Sequence, residues 1–132
     1  MGKGGGPRDI SLGDLKGRAV KAREIAARDW PAFLSVFTHL HRGQPATVRM
    51  WDPSLRAEAS TGELTLDSVA AGRSSAPEIS IHMGTDSRRH LEFGVEKPAR
   101  VWLERTDSGG EDLEIEAASG ARTLVECRAA TH

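Results

Sequence analysis

The side chains in this sequence that could do chemistry are five histidines, one cysteine, a run of carboxylates and a pair of tryptophans with arginines beside them. The histidines are His39, His41, His82, His90 and His132. Zinc sites on helices use two histidines four residues apart on one face. His39 and His41 are two apart and point in different directions. A pair made across elements, His41 with His90, is the arrangement that would support a metal-binding or catalytic protein. The plain alternative is a histidine at a helix end and another on a strand, each hydrogen-bonded or solvated. Glu104, Asp107, Glu111, Asp112, Glu114 and Glu116 form the carboxylate run. General acid–base work needs two carboxyls in differently tuned, concave surroundings. Glu114 and Glu116 instead alternate with Leu113, Ile115 and Ala117, the pattern of a water-facing strand row, with Arg122, Glu126 and Arg128 as cross-strand neighbours.

Cys127 is the single cysteine, so the chain can form neither an internal disulfide nor a cysteine zinc cluster. It falls within a strand pattern and reads as a buried thiol. There is no Gly-x-Ser-x-Gly elbow. Gly2-Lys3-Gly4-Gly5-Gly6 is not a phosphate loop, because no strand feeds it and Pro7 follows. The sequence therefore assigns no catalytic residue, no cofactor and no metal ligand.

The tryptophans are more informative. Trp51 and Trp102 fall on the opposite strand parity to Val48/Met50 and Val101/Leu103, and each follows an arginine by two residues, Arg49 and Arg100. An Arg–Trp pair on a sheet face can stack a nucleic-acid base or hold a protein partner. Arg49, Trp51, Arg100 and Trp102 are thus the candidate interaction surface. The plain alternative is a sheet partly buried on both faces.

The elements that must carry these residues follow from a change of rhythm at Gly43. Upstream, Trp30, Phe33, Leu34, Phe37 and Leu40 sit at helical spacing and predict an amphipathic helix over about 27–40. Pro31 is tolerated in its first turn, and Gly43 suits a left-handed cap. Downstream, apolar residues alternate with period two through 45–51, 55–60, 63–69, 78–83, 89–95, 99–105, 112–117 and 123–128. Asp52-Pro53-Ser54, Thr61-Gly62, Gly84–Ser87, Asp107–Gly110 and Ser119-Gly120 punctuate them. The expected fold is α+β: one N-terminal helix, then a six- to seven-stranded antiparallel meander curled into a small, partly open barrel. Residues 1–22 read as a basic tail, disordered or weakly helical, with 10–24 ambiguous because Gly13 and Gly17 weaken any helix. Residues 23–128 read as the single domain and 129–132 as a C-terminal tail.

Charge and length bound the function. With 18 basic and 19 acidic residues the net charge is -1, against a general phosphate binder. No apolar run is long enough for a bilayer and no signal-peptide core stands at the N-terminus. A cytoplasmic protein with no membrane contact is expected.

Several segments together resemble the uncharacterised bacterial domain-of-unknown-function family 5335. They are Arg23-Glu24-Ile25, Trp30-Pro31-Ala32-Phe33, His41-Arg42-Gly43, Leu64-Thr65-Leu66, Ile79-Ser80-Ile81, His90, the run from Pro98 to Asp107, Leu113-Glu114-Ile115-Glu116 and Thr123-Leu124. Ala27 stands where the family has a proline, and Gln44 where it has an aromatic. The resemblance spans residues 23–128 and implies a compact standalone domain with no established activity. The functional expectation is a non-catalytic β-rich module that binds a protein partner or itself. The alternative is a weak RNA-binding module, by similarity of architecture to Sm-like small barrels and because the N-terminal arm is basic. A metal-binding or catalytic protein using His41 and His90 comes third.

Overall fold

In the computed structural model, residues 19–72, 77–86, 89–106 and 109–128 are described. They form eight strands and one α-helix. The strands are β1 (Ala19–Ile25), β2 (Pro45–Asp52), β3 (Ala57–Ala71), β4 (Glu78–Asp86), β5 (Arg89–Glu96), β6 (Pro98–Thr106), β7 (Glu111–Ala117) and β8 (Arg122–Cys127). The helix α1 (Trp30–His41) follows a 3₁₀ turn at Ala27–Asp29. All strand pairs are antiparallel, in the order β1-β6-β7-β8-β2-β3-β4-β5, so the sheet is open and β1 and β5 are its edges.

The order corrects the expectation of a simple meander. Two hairpin series, β2 to β5 and β6 to β8, are joined side by side through β2 and β8, and β1 adds to β6. One residue, Lys97, with φ 51°, links β5 to β6. Its N–H donates to the Pro77 carbonyl and its carbonyl accepts from the Ala118 N–H.

Three further expectations change. Ala19–Ile25 is a strand, not part of a helix, so a strand occupies the end of the stretch read as tail; residues 1–18 lie outside the described ones. Its main-chain groups pair with Val101–Thr106, and a tertiary partner of that kind overrides local propensity. The segments 55–60 and 63–69 fall mostly in one long strand, β3, with Leu55 and Arg56 in the turn before it. Gly62, at φ 75°, makes a bulge rather than a turn, and Thr61 Oγ1 accepts the Val48 N–H where the register shifts.

The helix is not cleanly amphipathic. It buries Trp30, Leu34, Phe37, Thr38 and His41, yet Val36 and Leu40 remain 57% and 59% exposed. Leu40, assigned to the core stripe by spacing, faces outward. Trp30 Nε1 donates to the Ile25 carbonyl at 3.0 Å and fixes the helix start against the end of β1. Gly43 takes the expected left-handed conformation, φ 85°.

The helix also substitutes for a strand. β3 continues past the end of β2, which stops at the Pro45–Thr65 pair. Beyond it, Leu66 N–H donates to Gln44 O, Gly43 N–H to Leu66 O, and Val69 N–H to Thr38 Oγ1, which itself donates to Val69 O. Arg42 Nε donates to Asp67 O. Under this cover lies one connected core in which Leu34 and Phe37 belong with Leu66, Val69, Ile79, Ile81, Val101, Leu113, Ile115 and Val125.

Candidate functional site

The second face of the sheet carries the polar candidates. Cross-strand registers build three rows on it: Arg100–Glu116–Arg122–Trp51–Glu58, Glu24–Trp102–Glu114–Leu124–Arg49, and Glu104–Asp112–Glu126–Thr47–Glu63. Trp51 and Trp102 therefore share a face, but β7 and β8 lie between their strands, which places them about 14 Å apart across the sheet.

Neither Arg–Trp pair offers the open platform expected from sequence. Trp102 is only 3% exposed. Arg100 lies over its ring, 4.9 Å from the centroid, and bonds both carboxylate oxygens of Glu24 at 3.1 and 3.2 Å. Trp51 is half-buried, and Arg49 is held by Glu58 at 2.7 Å, an interaction that raises its pKa. The four residues are thus split between two strands, with one tryptophan closed to a stacking base.

Burial also corrects the reading of the carboxylates. Glu104 and Glu114 are fully buried and Asp112 nearly so, where alternation with the core predicted a water-facing row. Arg122 reaches Glu114 at 3.4 Å and Glu116 at 4.0 Å. The sequence gives no sign of this, because alternation marks two faces without saying whether both are covered.

His41 and His90 do not form a site together. His41 Nδ1 lies 2.8 Å from Gln44 Oε1, and Nε2 lies 2.8 Å from Glu111 Oε1. Arg105 Nε is 3.3 Å from the other Glu111 oxygen, and the chain of groups lines a cleft of about 450 Å³. Both ring nitrogens of His41 are therefore engaged. The cluster reads as a latch between the helix end and the β6–β7 hairpin. His90 instead meets His82, which sequence reasoning passed over. Among the described residues, no three metal-ligating side chains are gathered closely enough to hold an ion.

Cys127 is buried, as expected. Burial, with Asp112 and Glu111 nearby, pushes its thiol up to about 12. The unfolded thiol ionises near 8.5. Between these values the unfolded state loses a proton that the folded state keeps, so stability falls as pH rises, by at most about 1.4 kcal/mol per unit. The chain has no tyrosine and only Lys3, Lys16, Lys21 and Lys97 to complicate that range. Urea titrations from pH 8 to 10 are expected to show the decline in the native protein and a flatter profile in Cys127→Ala. Equal slopes would contradict the assignment.

A larger groove lies elsewhere. Along the inner side of edge strand β1, a groove of about 650 Å³ runs between β1 and α1. Ile25 and Leu103 form one wall, and Phe33, Val36 and Leu40 the other. Arg23 packs over the Phe33 ring at 5.9 Å, and Arg105, Glu111 and Asp29 mark the rim. No family model, curated protein or solved structure matches this chain. The site must be read from its own chemistry. The groove is apolar, has charged ends, and adjoins a strand whose outer main-chain groups have no strand neighbour among the described residues. The missed signal was β1 itself: without a strand at 19–25 there is no edge and no groove. No described helix is long and apolar enough to cross a membrane.

Proposed function

We propose that this protein is a non-catalytic interaction module that takes an extended segment of a partner protein as a ninth strand along β1. The observation that carries the reading is the coincidence of an edge that is unpaired among the described residues with an apolar groove on its inner side. Strand addition draws affinity from main-chain hydrogen bonds and specificity from alternate side chains dropping into pockets. On β1, every second side chain of an added strand would enter the groove against Val36 and Leu40. Both are exposed, and each would contribute on the order of 1–2 kcal/mol on burial. The same reading takes the sheet as curled into a small, partly open barrel. Lys97 alone separates β5 from β6, although β5 is one edge and β6 lies next to the other. Membership of domain-of-unknown-function family 5335, proposed on the segments above, assigns no activity and leaves this reading unchanged.

The test is selection from a displayed library of ten-residue peptides, followed by titration of the winners. Alternating apolar residues are expected among them, and Val36→Glu with Leu40→Glu is expected to weaken binding at least about tenfold while leaving the fold intact. Failure to enrich any sequence, or affinity unchanged by the double variant, would refute the reading. If the partner is a second copy of the chain, light scattering shows a dimer that the same variant dissolves.

A further inference from the structure

His82 on β4 and His90 on β5 sit diagonally across one hairpin. The register pairs His82 with Glu92 and His90 with Gly84, so both rings stand on the same face and nothing larger than hydrogen projects from the position opposite His90. His82 Nδ1 and His90 Nε2 are 3.2 Å apart, with ring centroids 5.3 Å apart and planes tilted by 44°. Two imidazole nitrogens bound at about 2.0–2.1 Å to one tetrahedral ion lie roughly 3.3 Å from each other. The separation of the two nitrogens is therefore already close to that of two ligands on one ion. On the far side of the His82 ring, Glu92 Oε2 is 3.7 Å from Nε2. A carboxylate there favours the proton on Nε2 and leaves Nδ1 as the ligating atom, the outer-sphere pattern common to metal-bound histidines.

We propose that His82 and His90 form a two-histidine site for a divalent transition metal such as Zn²⁺, Ni²⁺ or Cu²⁺. Without metal, one ring donates N–H to the other across the 3.2 Å contact. On binding, the proton leaves His90 Nε2 and His90 takes one up at Nδ1 by exchange with solvent, so both neutral rings offer a lone pair to the ion, and acid, by protonating either ring, competes with the metal. No third protein ligand is gathered at the pair among the described residues. The remaining coordination positions are open to water or to a ligand from another molecule. Imidazole donors place Cu²⁺ ahead of Ni²⁺ and Zn²⁺, and exclude Mg²⁺ as a competitor. The site lies on the β4–β5 hairpin and is independent of the β1 groove.

The experiment titrates the full chain, first stripped with chelator, with Zn²⁺ and Ni²⁺ by calorimetry, and follows the histidine ring resonances by NMR. One equivalent is expected to bind, shifting the His82 and His90 signals and raising the melting temperature. His82→Gln and His90→Gln are each expected to weaken binding at least about tenfold. His39→Gln, on the exposed side of α1, is expected to leave it unchanged. Both site histidines are partly or wholly exposed, so circular dichroism should find the variants folded. Absence of saturable binding, or binding that survives both site variants, would overturn the proposal.

Discussion

Replacing Thr38 with valine is expected to cost about 2–4 kcal/mol of stability, measured by urea unfolding with tryptophan fluorescence. The shape is conserved and the hydroxyl is lost. That hydroxyl accepts the Val69 N–H and donates to the Val69 carbonyl, both at 2.9 Å, at a buried position. Valine would leave two buried main-chain groups unsatisfied, each worth about 1–3 kcal/mol. Thr38→Ser keeps the hydroxyl and is expected to retain most of the stability, which separates the polar contribution from packing. A valine variant as stable as the native protein would mean that water or a neighbouring group can serve Val69.

Glu104→Met is expected to act in the opposite direction and raise stability by about 1–3 kcal/mol. Both carboxylate oxygens of Glu104 are buried, with no hydrogen-bond partner among the described residues. Its cross-strand neighbour is another acid, Asp112, and like charges directly opposite oppose each other. Methionine has similar length and no group to desolvate. Glu114 provides the contrast. It is equally buried but accepts from Arg122, so Glu114→Met removes the buried carboxylate facing that guanidinium and is expected to destabilise by about 2 kcal/mol or more. A loss of stability in Glu104→Met would show that its carboxylate has a partner after all.

The fold was largely legible where one face of a strand is apolar and the turn is rich in glycine. Ile79, Ile81 and Met83 announced β4, and Ser119-Gly120 marked the turn between β7 and β8. The failures have physical causes. β1 is made by pairing with residues some eighty positions away, and no local pattern in Ala19–Ile25 reports that. Gly62 has the left-handed conformation a turn would need, but here a bulge uses it, so β3 was divided. Glu104, Asp112 and Glu114 alternate with core residues as solvent-facing acids do. Cover over their face is a tertiary fact. Of the site residues, the His82–His90 pair was within reach, since assigning the β4–β5 register alone would have brought the rings together. The β1 groove was not, because its edge strand had gone unread.

The overhang of β3 has a consequence during synthesis. A bare stretch of strand backbone is a template for intermolecular pairing and fibril growth. Here the segment that masks it, residues 30–44, precedes β3 in the chain. On the ribosome the guard leaves the exit tunnel before the strand it guards. The sticky main chain then has a partner from its own molecule waiting, and nascent neighbours on a polysome have less to seize.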